Sequence, residues 1–132
     1  MVSAAGLRTA KLLKEHWGIP YTVGLPLERV CVSHGKTLVI GEDVRAWSLA
    51  QALGSADALD LFSAEGLAAY HTTDEQEIRE IAAGYDNVIA DPVFRPLVSC
   101  NFVPMPTVSV SGGIYEYTVS PLDTAAIAAL LV

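Results

Sequence analysis

An open, largely parallel α/β sheet in three layers, one domain of Rossmann-like type, is the fold this sequence predicts. Three observations carry that expectation. Thr37-Leu38-Val39-Ile40 is a short apolar run rich in β-branched residues, as a strand covered on both faces requires. Gly41 follows it, and then Ala46, Leu49, Ala50 and Leu53 fall at i, i+3, i+4, i+7, the single apolar stripe of an amphipathic helix. Similar short apolar runs return at residues 58–62 and 87–90, with a helical pattern before each. Strands alternating with helices make parallel βαβ units. At 132 residues the chain is long enough for one domain with a real core.

The elements follow in order. Ser3 can cap a helix running to about His16, with Leu7, Ala10, Leu13 and Trp17 on its buried side and Gly18 closing it. Pro20 holds Ile19 away from helical angles, so residues 19–22 are extended. Residues 23–35 contain Gly24, Pro26 and Gly35 and read as a linker with at most one short helix. The first domain strand, 37–40, stops at Gly41. Glu42 and Asp43 then begin a helix, where negative charge meets the positive end of the dipole, and Gly54 ends it. In this reading Arg45, Ser48 and Gln51 belong to a face away from the core.

A second strand is expected at 58–62, followed by an irregular stretch or one helical turn over 63–71. Thr72 or Thr73 caps the next helix, with Glu75 or Gln76 three residues on, a capping-box pattern. Ile78, Ile81, Ala82 and Tyr85 share its inner face, and Gly84 stops it. Asn87-Val88-Ile89-Ala90 is a third strand, broken by Asp91-Pro92. Pro92, Pro96, Pro104 and Pro106 forbid a long helix beyond it, so short strands are expected at 99–103 and 107–110. Residues 111–113 read as a flexible turn and 114–119 as extended. Asp123 or Thr124 caps a last helix over 125–131, apolar nearly all round.

Charge and composition restrict the function. The net charge is −7 with only 8 lysines and arginines, and Arg8, Lys11 and Lys14 form the one local basic group. Such a chain repels nucleic acid and anionic lipid. Mean hydropathy is +0.38, yet no apolar run reaches the roughly 18 residues of a membrane span. The first residues lack the charged and apolar regions of a secretory signal, which favours the cytoplasm. Cys31 and Cys100 are too far apart for a self-contained cluster motif and are expected buried and reduced.

In open α/β sheets ligands bind beyond the carboxyl ends of the strands. Those ends here carry Gly41, Glu42, Asp43, Ser63 and Asp91, so Glu42, Asp43, Ser63 and Asp91 are the candidate ligand-binding residues. The same residue types also serve plain capping and turn roles. The dinucleotide fingerprint is missing, because Ile40 is followed by Gly-Glu-Asp-Val-Arg-Ala, and two carboxylates stand where a phosphate would sit. No serine lies in a nucleophile-elbow sequence. His16, His34 and His71 are scattered, and His71 reads as a solvated loop residue beside Asp74. No catalytic constellation or metal-ligand set is recognised.

Several segments together resemble one family. His16-Trp17-Gly18-Ile19-Pro20-Tyr21-Thr22-Val23-Gly24-Leu25-Pro26-Leu27 resembles the segment by which nitrogenase component 1-type proteins leave their middle domain and enter their last Rossmann-like domain. These are the molybdenum–iron protein subunits, their cofactor scaffolds and the dark-operative protochlorophyllide reductase subunits. Gly35-Lys36-Thr37-Leu38-Val39-Ile40-Gly41-Glu42 is similar to the first strand of that last domain. Asp86-Asn87-Val88-Ile89-Ala90-Asp91-Pro92 is similar to another of its strands, and Phe102-Val103-Pro104-Met105-Pro106 with Val110-Ser111-Gly112 to its C-terminal stretch.

The resemblance implies that residues 1–35 match the end of a preceding domain and residues 36–132 a Rossmann-like domain. It implies an oxidoreductase domain that is partial or accessory. Family members that carry an iron–sulfur cluster hold it with cysteines mostly from their first domain, and Cys31 and Cys100 match no such motif. This chain is therefore expected to bind no cofactor alone, and to meet an iron–sulfur or related cluster only through a partner. The expected association is a homodimer, or a heteromer with a nitrogenase-like subunit, through one or both terminal helices. The alternative is a stand-alone module for binding or sensing a small polar or cationic ligand.

Overall fold

A pleated strand sends alternate side chains to opposite faces. Two adjoining apolar residues in a strand therefore need cover on both sides. In the computed structural model, which describes residues 4–32, 35–62, 66–105, 110 and 123–132, that cover is provided by helices on both faces. The elements are α1 (Ala4–Trp17), β1 (Thr37–Gly41), α2 (Asp43–Leu53), β2 (Ala56–Asp60), β3 (Tyr70–His71), α3 (Glu75–Ala82), β4 (Asn87–Ala90), a 3-10 helix (Pro92–Leu97), β5 (Asn101–Pro104) and α4 (Thr124–Ala129). The five strands form one all-parallel sheet in the order β3-β2-β1-β4-β5. The predicted α/β class and parallel sheet are what the structure has.

Val39, Ala58, Ile89 and Val103 face Ala46, Leu49 and Leu53 of α2 and Ile127 of α4. On the other side Leu38, Ile40, Leu59, Val88 and Ala90 face Ile78 and Ala82 of α3, with Phe94 and Leu97 of the 3-10 helix. Leu38, Val39, Ile40, Leu59, Val88 and Ile89 are essentially solvent-free. At about 25 cal/mol per Å² of apolar area, the two sandwiched layers supply most of the driving force for folding.

Several elements depart from the expected bounds. β2 begins and ends two residues earlier than expected, so Leu61 lies just outside it, donating its N–H to Gly41 O at 3.0 Å. β3 was not expected, because two residues carry no readable period. α3 is capped by Asp74 rather than Thr72 or Thr73. The Asp74 carboxylate accepts from Gln76 N and Glu77 N, and Thr72 Oγ1 accepts from Asp74 N. β5 starts at Asn101 rather than residue 99. The strands or turns expected over 107–109 and 111–119 lie outside the described residues.

Residues 23–32 form no helix. They run extended along α2, with Val30 N donating to Ala52 O at 2.8 Å and Val32 N to Leu53 O at 3.1 Å. This strap corrects two expectations. Ser48 is buried rather than solvent-facing, because its hydroxyl accepts from Leu25 N at 2.9 Å and donates to Val44 O. Cys31 is exposed rather than buried, because an extended chain that buries Val32 turns its neighbour outward. Cys100 is half-buried, and both cysteines are free thiols. A third correction is Trp17. α1 buries Leu7 and Ala10, but its apolar stripe outruns the surface beneath it, and Trp17 is 71% exposed.

Candidate functional site

The chain leaves β1 for β2 on one side and leaves β4 for β5 on the other, so the order reverses between β1 and β4. That is the position at which open α/β sheets leave a crevice beyond their carboxyl ends. Glu42 and Asp43 follow β1, and Asp91 follows β4. Glu42 is the half-exposed N-cap of α2, with no capping bond from its side chain. Asp91 is buried and caps the 3-10 helix, accepting from Val93 N at 3.0 Å. Its capping role is thus the plain one. Ser63 lies outside the described residues.

Asp43 is different. It is the buried first residue of α2, and it lines a cavity of about 160 Å³ with Asp60, Gly66, Ala68, Tyr70 and His71. Neither Glu42 nor Asp91 lines that space. Of the described candidates Asp43 alone lines this cavity, together with Asp60, which the sequence reading did not single out, and His71, which it read as a solvated loop residue.

Asp60 ends β2 and is 1% exposed. One carboxylate oxygen accepts from Phe62 N at 2.8 Å, and the other lies 3.4 Å from His71 Nδ1. The same nitrogen lies 3.2 Å from Asp60 O. His71 ends β3, and the parallel pairing of Asp60 with His71 sets the two side by side. His71 faces Asp60, not its sequence neighbour Asp74, which is spent on the α3 cap. The signal that could have found this pair is Asp60 itself. A carboxylate inside the apolar run Ala58-Leu59-Asp60-Leu61-Phe62 calls for a partner.

A second cavity, of about 290 Å³, shares Tyr70 and His71 with the first and adds Thr72, Glu77 and Glu80. Thr72 Oγ1 donates to the Glu77 carboxylate. At the sheet's edge the Tyr85 hydroxyl donates to Asp57 Oδ2 at 2.7 Å and lies 3.2 Å from Tyr70 Oη. Burial first, then the hydrogen bond to Asp57, pushes the Tyr85 phenol well above its ordinary range. A larger groove, about 500 Å³, runs between α3 and the 3-10 helix past Leu61, Phe62, Ile78, Phe94 and Leu97. Among the described residues Glu75 is its one ionisable wall residue.

Among the described residues no three histidine, cysteine or acidic side chains come together as a metal site, and no helix is long and apolar enough to cross a membrane. The whole is a Rossmann-like α/β domain with carboxylates gathered at the carboxyl end of its sheet. Comparison with protein-family models, curated proteins and solved structures gave no match.

Proposed function

We propose that the chain is a nitrogenase component 1-like oxidoreductase domain that acts as one part of an assembly, without a metal cluster of its own. The observation that supports it is the N-terminal arm. In the family it resembles, the segment matching residues 16–27 comes off a middle domain. Here Leu12, Trp17 and Ile19 are 55%, 71% and 48% exposed on and just after α1, beside Arg8, Lys11 and Lys14. Large apolar side chains left exposed along one arm favour cover by further protein. The assembly is a homodimer, or a heteromer with a nitrogenase-like subunit that supplies any iron–sulfur cluster. The same reading makes the protein cytoplasmic, with no nucleic-acid partner.

The test is anaerobic co-expression with the neighbouring coding sequences. A heteromer should co-purify, and Leu12→Glu with Trp17→Lys should disrupt it without lowering the melting temperature of this chain. Stoichiometric iron and sulfide on the chain alone, or a monomer at micromolar concentration that ignores every neighbour, would overturn the proposal.

The cavity beneath Asp43 and Asp60 favours a second reading, a module for a small polar or cationic ligand. A thermal-shift screen against metabolites separates the two. A specific hit abolished by Asp43→Asn supports ligand binding, and the absence of any hit leaves the assembly reading.

A further inference from the structure

His71 has two acceptors on one ring nitrogen. Asp60 O lies 3.2 Å from Nδ1 and Asp60 Oδ2 lies 3.4 Å from it. The nearer atom cannot donate, since a backbone carbonyl only accepts. Nδ1 therefore carries the proton and donates it to the Asp60 carbonyl, with the carboxylate alongside. In the neutral ring this fixes Nε2 as the lone-pair nitrogen. Asp60 is itself fixed by Phe62 N at 2.8 Å and is buried, so the orienting group does not wander. A buried carboxylate holding a half-exposed imidazole by Nδ1, with Nε2 as acceptor, is the arrangement of an oriented base.

The surroundings define what such a base would meet. His71 and Tyr70 stand in the walls of both cavities, of about 160 and 290 Å³. Asp43 from α2 and Asp60 from β2 line the first. Glu77 and Glu80 from α3 line the second. Among the described residues the ionisable neighbours other than Tyr70 are acids, and the first cavity is completed by Gly66, Ala68 and Ala69. A ligand here must bring donors and gains from positive charge. An anion would meet repulsion from both cavities, and the smaller space admits only a molecule of a few heavy atoms.

We propose that His71, held by Asp60, is the hydrogen-bond acceptor of a site for a small amine or amino alcohol at the carboxyl ends of β2 and β3. A ligand ammonium N–H donates to Nε2, no proton is transferred, and the carboxylates of Asp43 and Asp60 offset the ligand's positive charge. The proposal rests on the ligand-binding reading of the cavity and is independent of the assembly reading.

Histidine-ring nitrogen NMR on the full chain, with ethanolamine as the probe, tests it. The neutral His71 ring should carry its proton on Nδ1, and ethanolamine should shift its Nε2 resonance saturably. In Asp60→Asn the backbone carbonyl still accepts from Nδ1, so the tautomer should hold, while loss of the carboxylate should weaken the ethanolamine response at least tenfold. If Asp60→Asn does not fold, His71→Gln, which changes an exposed side chain, should abolish ethanolamine binding by calorimetry. A wild-type ring protonated on Nε2, or averaging between tautomers, overturns the proposal. A fixed Nδ1 proton with no saturable response overturns the ligand assignment alone, and the thermal-shift screen still decides the broader binding reading.

Discussion

The two ends of one sheet treat polar groups in opposite ways. At the amino end Asn87 is fully buried, and its carboxamide is saturated. Nδ2 donates to Val132 O at 2.8 Å, while Oδ1 accepts from Val132 N and from Asn101 Nδ2, each at 2.8 Å. Asn101 Nδ2 also reaches Leu130 O at 2.9 Å, and Asp86 accepts from Lys36 N at 2.8 Å. The side chain of Asn87 acts as a surrogate peptide that ties residue 132 to the sheet. At the carboxyl end Asp43 and Asp60 are as deeply buried, but they border open space beside a half-exposed histidine. Closure by fixed partners builds stability. Polar groups gathered around a cavity give up some of it and keep chemistry available.

The sharpest way to break this contrast is Asn87→Ala. It removes three hydrogen bonds, two to the backbone of Val132 and one from Asn101 Nδ2, so at about 1 kcal/mol each the expected loss is about 3 kcal/mol in urea unfolding. A loss under about 1 kcal/mol would show that the amino end is not the structural one.

A glycine pair sharpens the point. Gly35 has φ +70°, and a Cβ there would stand 2.2 Å from Val132 O and 2.9 Å from Asn87 Nδ2. Gly18 has φ +66° and nothing within 4 Å of such a Cβ. Gly18→Ala should cost about 1 kcal/mol, the left-handed penalty alone. Gly35→Ala should cost about 2 kcal/mol more, because backbone rather than a flexible side-chain tip must move. Equal costs would mean that residues 130–132 yield freely.

Tyr85 gives a smaller effect with a pH signature. Its phenol is raised above the ordinary 10.0, so above that pH the folded chain keeps a proton that the unfolded chain releases. Its stabilising contribution is complete below the unfolded value and falls as pH rises through the folded one. Tyr85→Phe should cost about 1 kcal/mol at neutral pH and flatten the loss of stability above pH 10. Parallel wild-type and variant curves would remove the phenol from the account.

How much of this was legible follows from where each signal resides. The strands around Val39 and Ile89 and the stripe Ala46, Leu49, Ala50, Leu53 are local patterns, and their elements formed as the patterns required. The carboxyl-end position of Asp43 and Asp91 was readable for the same reason. What was hidden is non-local. An apolar run such as 58–62 fixes a strand's existence but not its register, and a shift of two residues made Asp60 the last strand residue. The strand of His71 is set by pairing with β2, which no local period announces. Ser48 and Trp17 were misplaced because burial depends on a strap and a domain surface far away in sequence.

The smallest expected effect tests the carboxyl end directly. His71 is 45% exposed at its side chain, and its one strong constraint is the Nδ1 proton on Asp60. His71→Gln keeps a donor of similar reach while removing the ring acceptor. Asp60 retains its bond from Phe62 N in either case. Exposed substitutions that leave such bonds intact change stability by about 0.5 kcal/mol or less. Urea unfolding of His71→Gln should therefore nearly superimpose on wild type, while Asn87→Ala in the same assay should not. A loss above about 1.5 kcal/mol would place His71 among the structural groups, since only a buried network gives so large a value for a half-exposed side chain. The two ends of the sheet would then differ in exposure alone, and the dyad would be another cap.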